Sequence, residues 1–241
     1  MKILIIRHGD PDYINDSLTE KGSREAQLLS ERLSKISVDS FYCSPLGRAR
    51  ATAEPTLKAY GKDSVICDWL REFDAEVINT STGESSIPWD RMPSFINRNS
   101  DYFDYSKWNK TEFFSSGDIA EKYRAVCGGI DKILADNGYR HEGHIFSVEK
   151  ENTKTICLFC HFGVECVILS HLLNISPVCL WQGFVALPSS VTILVTEERE
   201  QGTASLRCMG FGDISHLYAV GEPTSFQARF CETYSNFDQR H

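Results

Sequence analysis

The first seventy residues alternate short apolar runs with amphipathic stretches, the pattern of strands separated by helices. Lys2 to Ile6 carries a run of aliphatic residues behind one lysine and predicts a buried strand. Thr19 follows as a cap, and Ala26, Leu29, Leu33 and Ile36 recur at steps of three and four, which predicts a helix with one apolar face. Ser40 to Cys43 predicts a second strand, Leu46 to about Tyr60 a second helix closed by Gly61, and Ser64 to Cys67 a third strand. The βαβαβ order implies parallel strands, because helical crossovers return the chain in the same direction.

Regularity breaks between residues 73 and 117, where Gly83, Pro88 and Pro93 punctuate a dense set of aromatics from Trp89 to Phe114. A stretch this long without regular structure reads as a cap or lid inserted into a single domain spanning residues 1–241, with a packing cluster as the alternative. Ile119, Tyr123, Val126, Ile130 and Ile133 then predict a long helix that begins at Gly117-Asp118 and stops at Asn137-Gly138. Ile145 to Val148 and Thr155 to Cys160 predict strands, and Val164 to Leu173 a largely buried helix. Val191 to Thr196 and Ala204 to Met209 predict a hairpin that adds antiparallel strands. The expected fold is α/β: a three-layer sandwich with a mostly parallel central sheet and an antiparallel edge. The tail from Glu222 shows no pattern that places it.

Composition narrows the function classes. The 241 residues are 41% hydrophobic, enough for a sizeable core. Lys and Arg number 25 against 33 Asp and Glu, a net charge of -8 without a basic run, which disfavours nucleic-acid and anionic-membrane partners. Apolar stretches fall far below the roughly 18 to 20 residues of a spanning helix. The first apolar run is also too short for a signal peptide, so a cytoplasmic location is expected. Nine cysteines, an odd count with most members in apolar segments, read as free thiols.

The sharpest chemical feature is Arg7-His8-Gly9 at the end of the first strand, because open α/β sheets bind ligands at strand carboxyl ends. Ser44-Pro45-Leu46-Gly47-Arg48 follows the second strand and brings another arginine to that edge. His161-Phe162-Gly163 ends a later strand and opens a helix, whose first N–H groups favour an anion. Two arginines and two histidines at successive strand ends suit a phosphoryl group: fixed cationic donors around its oxygens and one nitrogen nucleophile.

These segments resemble the histidine phosphatase superfamily, the phosphoglycerate mutase-like proteins, in its first branch. Arg7-His8-Gly9 matches the signature triplet. Leu18 to Gly22 with Gln27, then Ser44, Leu46, Arg48, Ala49, Thr52 and Ala53, match the following motifs, and His161 with Gly163 and Leu70-Arg71-Glu72 resemble two more. The resemblance implies metal-independent hydrolysis of a small phosphorylated metabolite, with no cofactor, through a phosphohistidine on His8. Arg7, Arg48, His161 and the Phe162 N–H would hold the phosphate, with Asn15 a further candidate, and Glu72 would serve as general acid and base. Two guanidiniums near His8 predict a pKa below the reference of about 6.5.

The chain departs from the family pattern after the triplet, where Asp10-Pro11-Asp12 replaces the usual Glu or Gln followed by Thr. Asp10 thereby competes with Glu72, Asp74 and Glu76 for the acid role. Phe162 stands where a glycine usually follows the histidine. The Asn- and Trp-rich segment of dedicated mutases is absent, which favours a phosphatase over a phosphomutase, and a phosphate-binding module of slow turnover is the third reading. Cys157-Leu158-Phe159-Cys160-His161 spells the haem-attachment pattern inside an apolar strand, where packing is expected instead. His141-Glu142-Gly143-His144 is expected as a solvated loop, and His171 and His216 as packed histidines.

Overall fold

The computed structural model describes residues 1–78, 83–227 and 231–239. In chain order the elements begin with β1 (Lys2–Arg7), a small hairpin of β2 (Pro11–Asp12) and β3 (Ser17–Leu18), α1 (Glu20–Leu33), β4 (Ser40–Cys43), α2 (Gly47–Tyr60) and β5 (Val65–Ile66). A second small hairpin pairs β6 (Val77–Ile78) with β7 (Ser85–Ser86), followed by the single-turn α3 (Pro93–Ile96) and the long α4 (Ile119–Asp136). The chain then forms β8 (Tyr139–Glu142), β9 (Ile145–Val148), β10 (Thr155–Cys160), α5 (Phe162–Leu173), α6 (Pro177–Gly183), β11 (Val191–Glu200), β12 (Thr203–Asp213) and α7 (Ser215–Tyr218).

One eight-stranded sheet runs β5-β4-β10-β1-β11-β12-β9-β8. Its first four strands are mutually parallel, and β11, β12, β9 and β8 add antiparallel pairs beyond β1. By direction β4, β5, β8, β10 and β12 all run with β1, so the sheet is mixed and mostly parallel, as expected. Helices cover both faces of the sheet and divide the core in two. Ile3 and Ile5 face the larger cluster with Leu158, Ile130 and Val167, while Leu4 and Ile6 face Leu29, Leu33, Ala49 and Phe159. This is the period-two alternation of a strand buried on both sides.

The predicted helices form where the periodicity puts them. Thr19 caps α1 by accepting a hydrogen bond from the Gly22 N–H at 3.0 Å, and Ala26, Leu29 and Leu33 are its buried face. Ile36 lies beyond the end of that helix and is exposed.

Several details differ from the sequence expectation. Where a loop is predicted at His141 to His144, His141 and Glu142 are the end of β8, paired with Phe146 and Ile145, and only Gly143-His144 forms the turn of a β8-β9 hairpin, with Gly143 in the left-handed region. Its strand β8 escapes a periodicity reading because it has only four residues, of which Tyr139 alone is fully buried. β9 and β10 are consecutive in the chain but lie on opposite sides of β1, because β10 inserts between β1 and β4.

Of the aromatic segment 73–117, residues 79–82 lie outside the described residues. Trp108, Phe113 and Phe114 are buried in the main core, and Trp108 and Phe114 pack edge-on and tilted against Trp181 of α6. Cysteines 43, 127, 157, 160 and 166 are buried, and all nine are free. Among the described residues no helix is long and apolar enough to cross a membrane.

Candidate active site

The parallel half of the sheet delivers its carboxyl ends to one place. Arg7 pairs in register with Cys160, so His8 and His161 emerge side by side from β1 and β10, with ring centroids 5.0 Å apart. The neighbouring β4 ends at Cys43, and Ser44 beyond it meets the His161 Nε2 through its hydroxyl at 2.8 Å. β5 leads into a short 3-10 turn at Asp68–Leu70, which carries Glu72 to the same edge.

Backbone contacts clamp the loop that follows β1. The His8 N–H donates to Cys160 and its carbonyl accepts from Ser189, while the Gly9 N–H donates to Thr52 Oγ1 of α2. Gly22 of α1 lies so close that a Cβ there would stand 2.2 Å from the Asp10 carbonyl oxygen. Only glycine admits this approach, which explains why that position of the post-triplet segment carries none of the bulk around it.

His8 is 2% exposed, and its Nδ1 lies 2.8 Å from the Gly9 carbonyl oxygen. A carbonyl only accepts, so Nδ1 carries the proton and Nε2 keeps its lone pair. Burial above all, then the Arg7 charge and more weakly Arg48, push the ring well below the ordinary histidine value, against the pull of the Gly9 bond. The direction expected from the guanidiniums is present, but desolvation is the larger cause.

His161 caps α5 and is fully buried; burial, then His8 and the two arginines, lower it as well. The Leu46 N–H donates to Ser44 Oγ, and with the Ser44 hydroxyl donating in turn to His161 Nε2 the His161 proton stands on Nδ1.

Three buried donors at this edge have no hydrogen-bond partner among the described residues: Arg7 Nε, Arg48 Nε and His161 Nδ1. The first-turn N–H groups of α5, at Phe162 and Gly163, add to them. On each guanidinium Nη1 is engaged. Arg7 Nη1 donates to the carbonyls of Ala186 and Gln227, and its Cζ lies 5.9 Å from the Phe162 ring centre. Arg48 Nη1 donates to Asp16 Oδ1 at 2.7 Å, and Asp16 also accepts from the Gly47 N–H at the start of α2. Buried donors without acceptors, beside cations, suit an oxyanion better than a metal ion.

Glu72 Oε1 accepts from the N–H groups of Phe73 at 2.8 Å and Val164 at 3.2 Å. Burial raises its pKa, while these bonds and the Arg7 and Arg48 charges pull it back. A Cβ at Gly163 would stand 2.6 Å from Glu72 Oε1, so the glycine two residues after His161 is what lets the carboxyl reach the helix terminus.

The structure therefore brings together Arg7, His8, Arg48, Glu72, His161 and Phe162. The other two candidates face other partners. Asn15 lies exposed and donates to Asp12 Oδ2 at 2.7 Å. The Asp10 carboxylate accepts the Thr19 hydroxyl on one oxygen, at 2.7 Å, and the Ser225 hydroxyl on the other. The unplaced tail thus starts beside the site, tied to Asp10 through Ser225, to Arg7 through the Gln227 carbonyl, and to Lys21 and Arg24 through Glu222.

Sequence reading missed two buried carboxyls behind the site. Glu25 of α1 accepts from the Asp10 N–H at 2.8 Å, and burial pushes it up to about 7. Glu165 sits in the first turn of α5, 1% exposed, and burial pushes it up to about 7 as well. A lone acid inside the apolar run Val164 to Leu173 was the available signal.

Glu165 gives a stability prediction. An unfolded glutamate ionises near 4.5, whereas the folded one keeps its proton to about 7, so folding loses stability as pH rises through that window. Glu165→Gln removes the ionisable group. Its melting temperature is expected to match the native protein near pH 5 and exceed it near pH 8, by roughly 5 to 10 °C for up to about 3 kcal/mol. A thermal melt at both pH values checks this, and an equal difference at the two would show an unperturbed carboxyl.

Comparison with known proteins places this edge in context. Residues 3–208 match the sequence profile of the histidine phosphatase superfamily, branch 1. The chain belongs to this superfamily. Within it, the chain is 23% identical over 146 residues to phosphoserine phosphatase 1 of Hydrogenobacter thermophilus, covering 55% of this chain and 64% of that one. It is 38% identical over 84 residues to a 2,3-bisphosphoglycerate-dependent phosphoglycerate mutase of Thermoplasma acidophilum, covering 30% and 42%. These matches span less than two thirds of either relative.

Superfamily structures share the fold across nearly the whole chain. A phosphoserine phosphatase mutant of Entamoeba histolytica in complex with phosphoserine superposes with a TM-score of 0.58 at 20% identity, over 90% of this chain and 98% of that one. A mycobacterial glucosyl-3-phosphoglycerate phosphatase superposes with a TM-score of 0.60 at 17% identity, over 88% and 98%.

Proposed function

We propose that this protein hydrolyses a small phosphomonoester without a metal, through a phosphohistidine on His8. The observation that carries the reading is the set of buried, unpartnered donors at Arg7 Nε, Arg48 Nε and His161 Nδ1 around a histidine whose Nε2 lone pair is free. Phosphate oxygens supply the acceptors these donors lack, and two guanidiniums balance the charge of a phosphate dianion.

In the first half-reaction His8 Nε2 forms a bond to phosphorus as the bond to the ester oxygen breaks. The departing oxygen takes the Glu72 proton, which the raised pKa of that carboxyl retains. Glu72 is then an anion, held by the Phe73 and Val164 N–H groups. In the second half-reaction water attacks phosphorus, Glu72 takes a water proton, and the His8 Nε2 lone pair is restored with release of inorganic phosphate. The first-turn N–H groups of α5 and the His161 Nδ1–H stabilise the equatorial oxygens in both steps. The named relatives act on phosphoserine and phosphoglycerate esters, which supports small phosphorylated acids as the first substrates to try.

The test is release of inorganic phosphate from phosphoserine, 3-phosphoglycerate and an aryl phosphate in excess chelator. Turnover of at least one, undiminished by the chelator, is the expected result. Phosphoryl movement to a second hydroxyl without free phosphate would instead support the mutase reading, and tight phosphate binding without turnover the binding-module reading.

A further inference from the structure

Three side chains that play no part in this chemistry meet at the opposite end of α5. Asp131 comes from α4, His141 from β8 and His171 from the last turn of α5. His171 is ten residues beyond His161, about 15 Å along the helix, so this cluster is separate from the phosphate pocket. His171 Nε2 lies 2.8 and 2.9 Å from the two Asp131 oxygens, and His141 Nδ1 lies 3.1 Å from Oδ1. The two nitrogens are themselves 3.0 Å apart. Both imidazoles are largely buried, 10% and 15% exposed, while Asp131 opens one side to solvent at 34%.

Proton counting makes this arrangement unusual for packed histidines. A neutral imidazole has one N–H and one lone pair. If both facing nitrogens carry protons, two N–H groups confront each other at 3.0 Å; if one does not, its lone pair faces the carboxylate. A cation between the three groups removes the conflict, because it accepts one lone pair from each.

We propose that Asp131, His141 and His171 form a binding site for a divalent first-row transition metal, zinc being the cation best suited to two imidazoles and one carboxylate. Zinc bonds of about 2.0 to 2.2 Å to nitrogen and oxygen put tetrahedral ligands about 3.3 Å apart, so the observed separations need to open by only a few tenths of an ångström. The fourth position faces solvent beside Asp131. The role is structural: the ion ties α4 and α5 to β8, the outermost strand of the sheet. Phe146 stacks on the His141 ring at 4.5 Å and holds it in place.

The experiment is a thermal melt and an equilibrium titration of chelator-treated protein with zinc, repeated on Asp131→Asn and His171→Ala. The native protein is expected to bind one equivalent and to melt roughly 5 to 10 °C higher at about a hundredfold excess over the dissociation constant. Both variants should lose the shift. The absence of a shift in the native protein, or an equal shift in the variants, overturns the proposal.

Cobalt titration of the native protein gives a second readout that does not depend on variant folding. Visible bands of four-coordinate cobalt without thiolate charge transfer support nitrogen and oxygen ligands. Strong thiolate absorption would assign the metal to the cysteines that are not buried, 67, 179, 208 or 231, and overturn the site.

Discussion

His8→Ala is expected to lower phosphate release by on the order of 10⁴-fold or more, because it removes the atom that must bond to phosphorus. Binding should survive better than turnover, since Arg7, Arg48 and His161 remain to hold the oxygens. The native protein, quenched during turnover, should carry a phosphoryl label stable in alkali and lost in acid, as a phosphorus–nitrogen bond requires. The variant should carry none. Undiminished turnover by His8→Ala would remove the basis of the phosphohistidine route, and a label that survives acid would move the nucleophile to a hydroxyl or carboxyl.

Glu72→Gln is expected to slow hydrolysis of alkyl phosphates by about 10² to 10⁴-fold, the range of a general acid. An aryl phosphate with an acidic phenol leaves without help, so its first step should remain fast. The second step still needs a base for water, and the variant should therefore release one equivalent of phenol in a burst before turning over slowly. The pH profile carries the sign of the shift. The first step needs the protonated carboxyl, so native activity on alkyl phosphates should fall as pH rises through the raised Glu72 value, and Glu72→Gln should lack that limb. An unchanged rate would assign the acid to Asp74, Glu76 or Asp10, of which Asp10 already accepts hydroxyl bonds on both oxygens.

The parts of the site legible in the sequence are those fixed by local geometry. A strand that ends in Arg7-His8 and another that ends at His161 point their terminal residues to one edge whenever they are parallel, and the apolar runs Lys2 to Ile6 and Thr155 to Cys160 predict such strands. Glycines at 22 and 163 were visible as motif positions, but the carbonyl and carboxyl they make room for were not. Long-range partners left no periodic trace. Asp16 reaches Arg48 from a loop residue with positive φ, and Ser225 reaches Asp10 across 215 positions. The aromatics near Trp108 look alike in sequence whether they line a pocket or fill a core, and only packing against Trp181 distinguishes the two. Likewise, no spacing rule brings His141 to His171, because the hairpin that aims it is too short to show a period.

The position of β1 between β10 and β11 has a consequence for how the chain is made. β1 pairs with Thr155–Cys160 on one side and Val191–Val195 on the other, both made long after it. At about 5 to 20 residues per second its first neighbour follows roughly 10 to 30 s later. Throughout that interval Ile3, Leu4, Ile5 and Ile6 form an unpaired apolar segment of the growing polypeptide. His8, the proposed nucleophile, is thus made well before the strand that seats it, and contacts of such long range make for slow folding. Exposure to chaperones is built into the strand order.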